Sequence, residues 1–131
     1  MVRQDNELAR RYMETALGLY VADPFIGLIV EKDGKRVGAV ILNDYRPGQN
    51  IELTAHTCGN WSVRDVRDIT RYCFQRVKRI TAHTHVNNTR ACYMLTALGF
   101  RREGLLRDWF KDGDAIVFGL LRSEQRIYRE G

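Results

Sequence analysis

Glu52 and His56 lie in the stretch NIELTAHT, residues 50–57, where apolar and polar residues alternate. Alternation of period two predicts a strand, with Glu52, Thr54 and His56 on one face and Ile51, Leu53 and Ala55 on the other. A carboxylate and an imidazole on one strand face can accept a proton, directly or through water. The imidazole has the better unperturbed pKa for that task near neutrality. Either residue is therefore a candidate catalytic base, and a solvated polar face is the alternative reading. His56-x-Cys58 and His83-x-His85 form a second set of reactive side chains. Zinc takes such ligands tetrahedrally, but the spacing matches no common zinc motif, and no metal is expected.

The elements that must position these groups follow from periodicity. Residues 5–18 predict a helix with Leu8, Tyr12, Met13, Ala16 and Leu17 on one side and Gly18 at its end. Two β-rich runs flank Asp33-Gly34, a hairpin signal. Residues 62–77 predict the clearest helix, striped by Val63, Val66, Ile69, Thr70, Cys73, Phe74 and Val77. Ser62 and Asp65 make a capping box at its start. RITAHTHV predicts another strand, and Asn88 or Thr89 caps a helix anchored by Leu95 and Leu98. Gly99 suits the left-handed end of that helix, with Phe100 packing back. Two strands, EGLLRDWF and DAIVFGLLRS, complete the chain. The order implies an α+β fold, and 131 residues suit a single domain over the whole chain.

Composition narrows the function classes. No apolar run approaches the ~20 residues of a membrane span. The polar N-terminus shows no secretory signal, and the three cysteines do not pair into a disulfide framework, so a cytoplasmic protein is expected. Cys73 and Cys92 read as small core residues. The net charge of +5, concentrated in 64–79 and 101–107, favours anionic partners such as a phosphorylated cofactor, an acidic protein or nucleic acid.

With these elements in order, NNTRACYMLTALGFRREGLLRD resembles the Asn-x-x-(Ala/Ser)…Leu-Gly-Phe…Glu-Gly segment of the GCN5-related N-acetyltransferase (GNAT) superfamily. Asn88, Arg90, Ala91, Leu98, Gly99, Phe100, Glu103 and Gly104 carry the match. The tryptophan–arginine stretch before RITA and the ending DGDAIVFGLLRSE resemble short members found in phages and proteobacteria. The resemblance spans about residues 20–125 and is densest over 80–107. It implies a mixed central sheet with splayed central strands, helices on both faces and an abbreviated N-terminal part.

It also implies acetyl transfer from acetyl-CoA, as co-substrate, to an amine by direct attack. NIELTAHT and RITAHTHV would be the splayed strands. The pantetheine arm would pair with the backbone around Ala55 and Thr57, and a backbone N–H from residues 54–57 would hold the oxyanion. The pyrophosphate would meet the helix start at Arg64, Asp65, Val66 and Arg67. Asn88 and Arg90 would flank the CoA arm, with Tyr93 as packing or cofactor wall. Asn43, Asp44 and Tyr45 would border the acceptor.

Two positions depart from the family pattern. Asp65 and Arg67 fill sites that are usually small, so Asp65→Gly would be expected to improve approach to the phosphates. Leu95 occupies the place of a frequent tyrosine acid. Other readings of the same chain are an inactive scaffold or partner-binding protein of this fold and, less well matched, a basic nucleic-acid module. A homodimer through 101–109 and the C-terminal strand is compatible with the resemblance.

Overall fold

The computed structural model describes residues 1–130. In chain order the elements are β1 (Val2–Gln4), α1 (Asn6–Leu17), β2 (Ile26–Lys32), β3 (Lys35–Arg46), β4 (Asn50–Thr57), α2 (Val63–Phe74), β5 (Arg79–His85), α3 (Thr89–Ala97), β6 (Arg101–Phe110) and β7 (Gly113–Leu121). A 3-10 turn, Arg122–Glu124, follows. The seven strands make one sheet in the order β1-β2-β3-β4-β5-β7-β6. Among the described residues only β4 and β5 run parallel; every other neighbouring pair is antiparallel.

Local chemistry explains most boundaries. Asp5 accepts from the Leu8 N–H at 3.1 Å and starts α1; Gly18 ends it at φ 62°. Asp33 and Gly34 both have positive φ, 54° and 76°, as a two-residue hairpin with the twist of its strands requires. Helix α2 stops at Phe74, earlier than its apolar stripe predicts. The Val77 N–H still bonds the Cys73 carbonyl at 3.0 Å, and Val77 remains buried. Strand β1 has no counterpart in the periodicity, because its three residues are too few to show one.

The helices divide between the two faces of the sheet. Ala9 and Met13 of α1 pack on Ile29, Ala39 and Ile41. A Cβ at Gly27 would lie 2.6 Å from the Ala9 Cβ, so α1 rests on bare backbone there. On the opposite face, Ile69, Cys73 and Phe74 of α2 join Val40, Leu42, Ile51, Ile80, Phe118 and Leu120 in the larger core. Each large apolar side chain buried there contributes roughly 1.5–3 kcal/mol. Burial pushes the Cys73 thiol up to about 12, which makes it a filler and not a nucleophile. Helix α3 lies over the same core through the half-buried Cys92, Leu95 and Leu98. Gly99, at φ 100°, turns the chain so that Phe100 donates to the Leu95 carbonyl at 3.0 Å and enters the core. Among the described residues, no helix is long and apolar enough to cross a membrane.

Candidate active site

The parallel seam between β4 and β5 is short. It runs from Asn50↔Arg79 to Leu53↔Ala82 and then ceases. Beyond it, β4 keeps its partners on β3, from Ile41↔Thr54 to Gly38↔Thr57. Strand β5 likewise keeps its partners on β7, from His83↔Val117 to His85↔Ala115. The gap is therefore a divergence of two intact half-sheets and not fraying. Along it, the backbone of residues 54–57 that faces β5 has no strand partner. Such an edge can pair with an extended amide-bearing chain as a further strand would.

The wide end of the gap leads to the loop before α2. Trp61 anchors this loop: its Nε1–H donates to the Val37 carbonyl at 2.9 Å, beside the Cys58 N–H on the same oxygen at 2.9 Å. The indole occupies the space left by Gly38, where a Cβ would come within 2.5 Å of the ring. Ser62 then caps α2. Its Oγ accepts from the Asp65 N–H at 3.0 Å, and the Asp65 Oδ2 accepts from the Ser62 N–H at 3.1 Å. Asp65 Oδ1 accepts from the Met1 amino group at 3.0 Å, so the buried carboxylate faces into the fold. That orientation removes the reason to expect tighter phosphate binding from Asp65→Gly; loss of the cap is expected instead. Arg64 is exposed beside the helix start, while Val66 and Arg67 are half-buried. The free amides and dipole of this helix start favour an anion.

Burial pushes the Asp65 carboxyl up, but hydrogen bonds from the Met1 amine and Ser62 outweigh it and hold the carboxyl below its usual range. A depressed folded pKa contributes stability that is present above the unfolded value, ~3.9 for Asp, and is lost as pH falls through the folded value. Melting curves from pH 6 down to strongly acidic pH should therefore fall more steeply for the parent chain than for Asp65→Asn. Parallel acid limbs would contradict the assignment.

At the far side of the gap, Asn88 caps α3 through Oδ1, which accepts from the Ala91 N–H at 3.0 Å. The cap uses the carbonyl oxygen and not the NH2 group. Arg90 and Tyr93 are exposed, Tyr93 at 76%. Ala55 and Thr57 are exposed along the β4 side.

The face that carries Glu52 holds the acid–base groups. Helix α1 packs mainly on its β2–β3 half and reaches β4 through Tyr12 at His56, and among the described residues no helix packs on this face over β5 and β7. There Glu52 Oε1 lies 2.8 Å from His83 Nδ1, both side chains being largely shielded. The contact is at ion-pair distance but not aligned as a hydrogen bond, and His83 Nδ1 is left without a hydrogen-bond partner. His83 meets Trp109 edge-on, with ring centroids 5.0 Å apart. Asn43 stands opposite Glu52 in the β3–β4 register, and its buried Oδ1 also lacks a partner among the described residues.

His56 serves elsewhere. Its Nδ1 meets the Tyr12 hydroxyl at 2.8 Å, and the Arg36 guanidinium lies over the Tyr12 ring at 4.0 Å. Burial, then a hydrogen bond with Cys58, pushes the Tyr12 hydroxyl up. His56 lies four residue steps along the strand from Glu52, roughly 13 Å. The structure thus does not bring the two base candidates to one reacting atom. It brings Glu52 to His83 instead. The signal for that pairing was present in the matching polar faces of the two strands, but it needs their register: Glu52 pairs with Thr81, two residues before His83.

No family model and no curated protein matches the chain. Solved structures do. A chimera of spermidine N-acetyltransferase SpeG from Vibrio cholerae and hSSAT aligns over 94% of this chain and 96% of its own, at 16% identity and TM-score 0.76. Ribosomal-protein-alanine N-acetyltransferase from Brucella melitensis aligns over 92% and 99%, at 17% identity and TM-score 0.66. RimJ from Mycobacterium smegmatis, in complex with CoA-disulfide, aligns over 76% of this chain and 54% of its own, at 21% identity and TM-score 0.62. The split sheet flanked by helices defines an acetyltransferase-type architecture. More narrowly, the chain has the GNAT fold, as its resemblance over residues 80–107 led one to expect.

Proposed function

We propose that the protein transfers an acetyl group from acetyl-CoA to an amine. The observation that carries this reading is the end of the β4–β5 seam at Leu53↔Ala82, with the Glu52–His83 pair on the floor of the opening. The chain fits the donor at three places. Unpaired backbone along 54–57 suits the amide-bearing arm, the α2 start with Arg64 and Arg67 suits the pyrophosphate, and the Asn88 NH2 group suits the arm at the α3 start. Bound acetyl-CoA supplies the activated carbonyl and a thiolate leaving group.

The remaining steps belong to the protein. An aliphatic amine, pKa ~10.4, arrives as the ammonium and must lose a proton before it attacks. Glu52 and His83, 2.8 Å apart, are the groups placed to receive that proton. A backbone N–H of 54–57 stabilises the oxyanion. With Leu95 in the place of a frequent tyrosine acid, the thiolate takes its proton from water.

The test is thermal melting with acetyl-CoA, followed by mass detection of acetylated products from an amine panel. Donor at a hundred times its Kd should add about 2.7 kcal/mol of stability. No stabilisation and no product would refute the reading; stabilisation without turnover on any amine would favour the non-catalytic alternative. Asn88→Ala should cost about 1 kcal/mol as a lost cap. It should in addition weaken acetyl-CoA binding to the folded protein; calorimetry showing equal affinity would confine Asn88 to capping.

A further inference from the structure

The two ring nitrogens of His85 fix the turn that leads into α3. Nδ1 accepts from the Asn87 N–H at 3.0 Å, and Nε2 lies 3.0 Å from Asp112 Oδ1. A backbone N–H can only donate, so Nδ1 keeps its lone pair. The ring proton therefore sits on Nε2 and is donated to the Asp112 carboxylate. With both nitrogens engaged, this imidazole has no free position at which to take a proton from a substrate. What it can do is hold the chain.

The ring is seated by the β6–β7 turn. Phe110 stacks on it, with 5.4 Å between centroids and 21° between planes. A Cβ at Gly113 would lie 2.8 Å from Nε2, so the ring rests there on bare backbone. That turn is fixed in its own right. The β6–β7 register slips between Leu106 and Phe110, and Asp108 takes φ 51° while its N–H bonds Asp114 Oδ1 at 2.8 Å. The Asp114 carbonyl in turn accepts from the Val86 N–H at 2.9 Å. On the helix side, His85 grips two consecutive residues. Its ring takes the Asn87 N–H, and its carbonyl takes the N–H of Asn88, the α3 cap, at 2.9 Å.

The charges around the ring set up a conflict. Asp112 meets it from the β6–β7 turn, flanked by Lys111 and by Asp114, whose carboxylate is spent on the Asp108 N–H. Strands β5 and β4 carry His83 and Glu52 on the same face, and Arg90 is the first charge on α3. The Asp112 carboxylate attracts a second proton to the ring. The place for that proton is Nδ1, where the Asn87 N–H already points. Protonation thus sets two N–H groups against each other.

We infer that His85 is a proton-sensitive positioning residue: neutral, it holds Asn87 and Asn88 in place at the α3 start; protonated, it releases Asn87 and loosens the contact of Asn88 with the donor. The last link rests on the acetyl-transfer reading, whereas the latch itself rests on geometry. Imidazole is the side chain that changes charge between pH 8 and 5, so release is read in that range.

The experiment follows amide chemical shifts from pH 8 to pH 5.5 and measures acetyl-CoA affinity by calorimetry at both ends. It compares the parent chain with His85→Asn and His85→Phe. An asparagine oxygen accepts from the N–H two residues on, as in an Asx-turn, and does not titrate. The Asn87 amide should therefore move with pH in the parent and stay fixed in His85→Asn. On acidification the parent should lose about two- to tenfold more affinity than His85→Asn, the worth of one hydrogen bond. Effects of pH on the donor's own phosphates are common to both chains and cancel in that ratio. His85→Phe keeps a ring against Phe110 but loses the acceptor, so it should bind weakly at both pH values; melting checks that the variants fold. An Asn87 amide that stays fixed in the parent, or moves equally in His85→Asn, overturns the latch. Equal loss of affinity in the parent and in folded His85→Asn overturns the positioning role. If no chain binds acetyl-CoA while Asn87 titrates as expected, the acetyl-transfer reading falls and the latch stands.

Discussion

Glu52→Gln should lower kcat for amine acetylation by about 10²–10⁴-fold, the range that a positioned acid–base group contributes. On the proposed reading acetyl-CoA affinity should stay unchanged, because the donor arm would meet the β4 backbone and not this side chain. The amide keeps the shape of the carboxylate and its place opposite Asn43, so the loss reports charge and proton transfer. It also leaves His83 without the carboxylate at 2.8 Å, so the pair can no longer act as a unit. His83→Gln should share most of the effect, and the double variant should be little worse than either alone, as for residues acting together. Pre-steady-state product formation and donor calorimetry check this. A Glu52→Gln enzyme with full kcat would remove Glu52 from the chemistry.

Gly38→Ala should destabilise the fold by about 1–3 kcal/mol, the usual cost of an extra methyl in a packed site, and should damage donor binding as well. The new Cβ would lie 2.5 Å from the Trp61 ring and 2.6 Å from the His56 carbonyl oxygen. The indole can move and so is displaced, whereas relief at the carbonyl needs a shift of the strand and strains the sheet. Its departure breaks the Nε1–H bond to the Val37 carbonyl and frees the loop that leads to the α2 cap. In a Trp109→Leu background Trp61 is the sole tryptophan, and its emission should shift to the red. An unaltered melting point with unaltered emission would show that the loop tolerates the methyl group.

Sequence and structure agree where the physics is local. The capping box of Ser62 and Asp65, the Asp33-Gly34 hairpin and the Gly99 stop each depend on a few adjacent residues, so spacing alone reveals them, and it narrows the α3 cap to Asn88 or Thr89. The limits lie where distant segments meet. That β4 and β5 are neighbours came from the family resemblance, and where they part depends on a parallel register that no local pattern records. The contact of Glu52 with His83 follows from that register, which is why the sequence offers Glu52 and His56 only as alternative bases on one strand. The Tyr12–His56 bond needs the docking of α1, and the position of Trp109 needs a slipped strand with a left-handed Asp108. The inward turn of Asp65 was one of two outcomes the sequence allowed, and only packing against the first residues of the chain decides it.

The brevity of the β4–β5 seam has a mechanical meaning. Two stiff plates are joined by a few backbone rungs and, behind them, by side chains from both plates, Val40 and Leu42 from one and Ile80 and Phe118 from the other. Beyond the rungs, oil-like cohesion at the back sets how far the plates swing apart. Such cohesion weakens on cooling and, unlike charge pairing, is not screened by a simple salt such as sodium chloride. The width of the mouth should therefore follow temperature more closely than sodium chloride concentration.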